Sequence, residues 1–179
     1  MPDQRLSTTT FEELAMPLFD QLYNFARWLT QDTAEAEDLV QETYTKALRG
    51  FSSFQIGTNF RAWMYRILRN SFLSSRSGLK TTVAIDDEDK EMILVEPGPT
   101  PESLAIEQSN REVVQQALGE LPVHFREILL LCEVEEMSYQ EIAQALSIPV
   151  GTVMSRLSRA RKTLRTLLQQ KFAGGPHGV

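Results

Sequence analysis

The sequence predicts an all-α protein made of two small helical domains joined by a flexible acidic linker, the second domain carrying a helix-turn-helix. Three observations predict it. Apolar residues recur at helical spacing through most of the 179 residues, and no alternating strand pattern competes with them. An acidic, proline-rich segment at 77–104 divides the chain into two halves that are each the size of a small helical unit. Near the C-terminal end, a short capped helix, a turn and a basic helix follow one another at helix-turn-helix spacing.

The elements follow in order. From Phe11 to Trp28, Leu14, Leu18, Leu22, Phe25 and Leu29 mark one helical face, and Pro17 either kinks that helix or marks its true start. "DTAEAEDLVQETYTKALRGF" reads as a second helix with Asp32 or Thr33 as N-cap, acids from Glu35 to Asp38 near the positive end of its dipole, and Gly50 near its end. Its apolar side, Ala36, Leu39, Val40, Tyr44, Ala47, Leu48 and Phe51, is expected to pack inward. Asp38, Gln41, Glu42, Thr45 and Arg49 then form an outward stripe available to a partner. "SSFQIGT" reads as a loop, and "NFRAWMYRILRNSFLSSR" as a third helix capped by Thr58 or Asn59.

After Arg76 the pattern dissolves into a charge cluster followed by Pro-Gly-Pro-Thr-Pro, whose prolines favour an extended linker over a compact domain. Helical spacing resumes at Pro101 or Glu102 and runs to about Glu120. "LPVHFREILLLCEVEEM" gives a further helix entered through Leu121-Pro122. "SYQEIAQAL" is a short helix with Ser138 as N-cap and Glu141 at the capping-box position. "SIPV" is a turn, and a long helix begins near Gly151 or Thr152.

Composition removes several classes of function. No apolar run approaches the roughly 20 residues that span a bilayer, and "MPDQRLSTTT" has no apolar signal core, so no membrane insertion and a cytoplasmic location are expected. The single cysteine, Cys132, excludes an intrachain disulfide and reads as a small buried hydrophobe within "ILLLCEV". With His124 and His177 it lacks metal-ligand spacing, so no metal is expected. No carboxylate pair, nucleophile with base, or phosphate loop suggests catalysis, and no enzyme activity or cofactor is expected.

Charge points to a positive expectation. The formal net charge is −6, yet it is segregated: residues 50–80 hold five basic side chains and no acid, and residues 142–179 hold six and no acid. The segment 81–141 carries 15 acids against three bases. Two acid-free basic blocks suggest two anion-binding surfaces, because phosphate contacts need Lys and Arg without neighbouring carboxylates.

The second block is the helix that enters the DNA major groove in a helix-turn-helix. At 100° per residue, Val153, Leu157, Ala160 and Leu164 face the first helix, next to Ile142, Ala143 and Leu146. Ser155, Ser158, Arg159 and Lys162 occupy the opposite arc, with residue types that read base edges. Met154 and Arg156 lie on the flanks, suited to a thymine methyl and a phosphate, and Thr152 opens the helix where backbone amides bind phosphate. In the first block, Phe60, Trp63, Tyr65 and Phe72 interleave with Arg61, Arg66 and Arg69, a mixture suited to a charged backbone and unstacked bases, although Trp63, Ile67 and Leu68 also read as plain core, and packing is the favoured reading of Trp63. Asn59 can read a flipped base or cap its helix.

Three segments, "TAEAEDLVQETYTKALRGF", "NFRAWMYRILRN" and "ALGELPVHFREILLLCEVEEMSYQEIAQALSIPVGTVMSRLSRARKTL", occur in the same order as in the extracytoplasmic-function type of bacterial RNA polymerase sigma factor, which the chain resembles from 11 to 168. The resemblance implies a transcription initiation factor with region two at 11–76, a linker at 77–104 and region four at 105–172. It implies that Asp38, Gln41 and Glu42 meet core RNA polymerase, that the loop from Ser52 to Asn59 captures a flipped base of the minus-10 element, and that Asn59, Arg61, Arg66 and Arg69 lie near that strand. It also implies that Thr152, Met154, Ser155, Arg156, Ser158, Arg159 and Lys162 face the minus-35 element, that promoter DNA is a partner, and that an anti-sigma factor is another. The chain departs from the family in "LSSRSG" after "RNSF", where an acidic residue is common, and in the small Ser158, where bulkier residues occur. A stand-alone helix-turn-helix regulator explains 138–168 alone, and a helical adaptor for an acidic protein partner is a third reading.

Overall fold

The computed structural model describes residues 4–77 and 108–173. All but Ser77 of the expected linker, and the helix start expected at Pro101 or Glu102, lie outside those residues. The described chain is helical throughout its regular structure, as the sequence predicts: α1 (Gln4–Ala15), α2 (Phe19–Thr30), α3 (Thr33–Gly50), α4 (Phe60–Ser77), α5 (Gln108–Glu120), α6 (Val123–Leu129), α7 (Tyr139–Leu146) and α8 (Val150–Ala173).

Local chemistry sets most boundaries. Pro17 sits in a 3-10 turn, Met16–Leu18, that separates α1 from α2. A proline lacks the N–H that would continue the ladder, so the helix breaks and restarts in a new phase. That change of phase is why Leu14, expected on the face of Leu22, Phe25 and Leu29, is instead 39% exposed. Asp32 caps α3, its side chain accepting from the Glu35 N–H at 2.9 Å, and Gly50 is the last residue of that helix. Ser138 and Glu141 form the reciprocal capping box of α7. Ser147, left-handed at φ 55°, closes the same helix and turns the chain into Pro149 and α8, which begins one or two residues earlier than expected. The expected single helix after Leu121-Pro122 stops at Leu129 and relaxes into a π-helical turn, Leu130–Val134, closed by the Glu135 N–H on the Leu130 carbonyl.

Leu22, Phe25, Leu29, Ala36, Val40, Met64, Tyr65 and Leu68 bring α2, α3 and α4 together, while Ile128, Leu131, Ile142, Leu146, Val153, Leu157 and Ala160 do the same for α6, α7 and α8. The helix-turn-helix core is therefore the one its periodicity predicts. Leu48 is a correction: expected inward, it is 51% exposed, because the buried arc of α3 runs through Ala36, Leu39, Val40, Thr43 and Ala47, and at about 100° per residue Leu48 falls beyond its edge. Buried residues of both helical groups belong to one continuous cluster. α4 packs on α7, and α2 touches α5 and α6.

Candidate nucleic-acid interface

The basic face of α4 begins at its cap. Asn59 accepts the Ala62 N–H on Oδ1 at 3.0 Å, so it is Asn59, not Thr58, that caps the helix; Thr58 instead donates to the Gln55 carbonyl at 2.6 Å. The loop before it is propped from beneath by aromatic rings: Phe54 packs on Phe60 and Trp63 with centroids 5.3 and 5.0 Å apart. Trp63 is thus half-buried packing material, and Ile67 and Leu68 are half-buried and buried. Gly57 supplies a φ of 96° that L side chains rarely adopt, and the turn leaves Ile56 83% exposed at the loop tip.

The four side chains expected near the minus-10 strand are brought together, and all four are occupied. Asn59 Nδ2 donates to the Glu141 carboxylate at 3.2 Å. Arg61 donates to the Glu135 carbonyl and lies 3.6 Å from its carboxylate. Arg66 donates twice to the Gln144 carbonyl, at 2.9 and 2.6 Å. Arg69 donates through Nε to both oxygens of Glu127, at 3.2 and 3.0 Å, and through Nη1 to the Leu146 carbonyl at 3.5 Å. Every one of these acceptors lies at or after α6, in the helix-turn-helix half of the chain.

Glu127 is 1% exposed. Burial pushes its carboxyl above the usual range, against the opposing pull of Arg69 and then Arg156. Burial, and then the adjoining Glu135, likewise push the Tyr65 phenol up. A further tie was not legible in the sequence. Arg126, 7% exposed, donates to the carbonyls of Leu118, Gly119 and Leu121 at the end of α5 and to that of Leu29 at the end of α2, at 2.7 to 3.1 Å. One guanidinium thus fills carbonyls that two helix ends leave without intrahelical donors.

On α8, Ser158 is exposed and Met154 is 55% exposed, while Thr152, Ser155, Arg159 and Lys162 are half-buried. Ser155 Oγ donates to the Thr152 carbonyl at 3.1 Å, a local bond that a groove contact must replace. Arg156 corrects the sequence reading: expected on a flank and suited to a phosphate, it is 7% exposed and near Glu127 and His124. Burial and then the Arg156 charge hold the His124 imidazole below its usual range. Arg161 belongs to another surface, its guanidinium 2.7 Å from Glu133 and 3.6 Å from Cys132 Sγ. Burial raises that half-buried thiol, which leaves it a packing group more than a nucleophile.

The outward stripe of α3 is where the sequence predicts it. Asp38, Gln41, Glu42, Thr45 and Arg49 are all exposed, and the unexpected Leu48 joins them at helical spacing. Glu42 pairs with Lys46 at 2.7 Å and Glu35 with Arg76 at 3.2 Å, beside an open cleft that Asp38, Leu39 and Phe72 also line. The site thus has an acidic stripe open to solvent and two basic helices suited to anions. Among the described residues no group of His, Cys, Asp and Glu is placed to hold a metal ion, and no helix is long and apolar enough to cross a membrane.

Two family models match the chain. Residues 14–80 match the family model for Sigma-70 region 2, and residues 111–164 match that for Sigma-70, region 4. The ECF RNA polymerase sigma factor EcfG of Rhodopseudomonas palustris is 36% identical over 165 residues, covering 86% of this chain and 88% of that relative. The ECF RNA polymerase sigma factor SigE of Mycolicibacterium smegmatis is 36% identical over 162 residues, covering 89% of this chain and 62% of that longer relative. Among solved structures, the sigma factor RpoE in complex with the anti-sigma factor NepR from Bartonella quintana matches with a TM-score of 0.68 and 32% identity, over 89% of this chain and 97% of that one.

Proposed function

The chain belongs to the extracytoplasmic-function sigma factors of the sigma-70 family, transcription initiation factors that direct RNA polymerase to promoters, and from that premise we propose how its surfaces divide the work. Region two, 11–76, binds core polymerase and the minus-10 element; 77–104 is the linker; region four, 105–172, binds the minus-35 element. Asp38, Gln41 and Glu42 meet the polymerase, with Leu48 as an apolar contact on the same stripe. Asn59, Arg61, Arg66 and Arg69 hold the unpaired minus-10 strand: the arginines neutralise its phosphates and the Asn59 amide meets a base edge. Thr152, Met154, Ser155, Ser158, Arg159 and Lys162 face the minus-35 groove. Arg156 is left out of that set because it is buried. The chain works in the cytoplasm, and an anti-sigma factor restrains it, as NepR binds RpoE in the Bartonella quintana complex. It catalyses nothing itself; bond formation belongs to the polymerase.

The observation that carries this division is the charge layout: an exposed acidic stripe on α3 set apart from two helices, α4 and α8, whose basic blocks contain no acid. Run-off transcription with purified core polymerase and a pooled promoter library tests it. Adding the chain is expected to produce discrete new starts that share two spaced motifs. An unchanged set of starts, with no co-elution of chain and core, contradicts it.

A further inference from the structure

Glu35, Asp38 and Glu42 fall within about 60° of one another around α3 and line one wall of the open cleft that Leu39 and Phe72 also line. The two outer carboxylates are already taken by cations of the chain itself. Lys46 Nζ is 2.7 Å from Glu42, and the Arg76 guanidinium is 3.2 Å from Glu35, whereas Asp38 between them has no ion pair among the described residues. Each cation has a second anchor on α4. Lys46 donates to the Ser71 hydroxyl at 3.1 Å, and the Arg76 guanidinium lies 4.9 Å from the centre of the Phe72 ring. Ser71 and Phe72 are buried, so the packing of α4 on α3 fixes both anchors. Arg76 is the basic residue of "LSSRSG", where the chain departs from its family. α4 contains no acid, and Arg76 finds one on α3, whereas Arg61, Arg66 and Arg69 bond to the helix-turn-helix half.

Stability does not account for this arrangement. The four paired side chains are 47–60% exposed, and exposed pairs contribute little to folding. What the pairs do change is the charge a partner meets: of three clustered carboxylates, one is left unpaired. Resting on the reading of α3 as the polymerase face, we propose that Lys46 and Arg76 are built-in counter-ions of that face, which compete with basic side chains of the polymerase for Glu42 and Glu35 and hold the affinity for core below what the carboxylates alone would give. A basic partner surface is the one an acidic cleft wall complements. The exchange strands no charge, because each displaced cation stands half in water and keeps its anchor on α4.

The test titrates the full, fluorescently labelled chain with purified core polymerase. R76Q and K46Q are each expected to bind core about two- to fivefold more tightly, the range over which an exposed pair holds its partners. The gain shrinks as salt is raised, because these charges stand in solvent. R76K and K46R, which keep the charge, and K171Q, which breaks the ion pair with Glu120 in the other half of the chain, stay within about 1.5-fold of wild type. In an E35Q background the gain from R76Q disappears, since the carboxylate it unmasks is gone. A pair that served only the fold would give unchanged or weaker binding, so the sign of the effect separates the two roles. The glutamine variants are independent, and failure of one to fold leaves the other to decide. Unchanged or weaker binding by the folded glutamine variants, or an equal gain from R76K and K46R, would overturn the counter-ion role. Binding lost in D38A with E42A but not gained in R76Q or K46Q overturns the counter-ions alone, whereas binding unmoved in all of them overturns the polymerase reading beneath them.

Discussion

The acidic stripe of α3 and the basic face of α4 belong to adjacent helices of one bundle, yet one is open and the other covered. Asp38, Gln41 and Glu42 are exposed, with Glu42 paired to Lys46 of its own helix, whereas Asn59, Arg61, Arg66 and Arg69 each bond to the opposite half of the chain. The difference teaches an order of events. Under the proposed division of labour, a polymerase would meet an open face on α3, whereas DNA would have to displace the bonds that now occupy α4.

The largest effect is expected where the two halves are tied most deeply. Arg126→Ala leaves four carbonyls without their charged donor and is expected to lower stability by about 3–5 kcal/mol in urea unfolding. A loss within experimental error would show that the helix ends are satisfied without it. The faces themselves should then separate by assay. Asp38→Ala with Glu42→Ala is expected to weaken retention on immobilised core polymerase about tenfold, with folding changed by less than about 0.5 kcal/mol because the exposed Glu42 pair contributes little. Arg66→Ala is expected to do the reverse, sparing core retention and cutting promoter-dependent transcription roughly tenfold. Equal losses in both assays from either variant would dissolve the distinction between the faces.

On α8 the effects are smaller and differ in kind. Arg159→Ala is expected to cost about 1–3 kcal/mol at one minus-35 base pair, and Lys162→Ala to weaken all sequences alike and reduce the salt slope by about one. Sequence-blind losses from both would remove base reading from this helix. The smallest effect concerns Glu127. Its folded carboxyl titrates above the unfolded value of 4.5, so its stabilising contribution is fully present below that value and is lost as pH rises through the raised one. Relative to E127Q, the wild type is therefore expected to lose melting temperature as pH rises above 4.5. A relative gain would mean that the Arg69 pair outweighs burial.

What was legible in the sequence was whatever is decided locally. Asp32, Gly50, Leu121-Pro122 and the Ser138 and Glu141 box mark helix ends through bonds made within a few residues, and the inner faces of α7 and α8 follow from 3.6-residue periodicity. Leu14 differs because Pro17 breaks the helix that periodicity treats as continuous, and Leu48 because it lies past the edge of the buried arc of α3. A cap at Thr58 or Asn59 was legible; the choice of Asn59 and its bond to Glu141 were not. Bonds such as Arg69 to Glu127 or Arg126 to Leu29 join residues far apart in the chain, and no local spacing announces them. The burial of Arg156 has the same origin, since it depends on what the other half brings against α8.

The most direct test of the account compares promoter binding by the chain alone and by the chain with core polymerase, on a labelled promoter fragment recovered from the run-off library. The account predicts that the free chain co-elutes with core yet binds the fragment no better than random DNA, and that specific binding appears when core is added. Equally tight, sequence-specific binding by the free chain would contradict both the covered α4 face and the division of labour built on it, and would mark the chain as a regulator that reads DNA unaided.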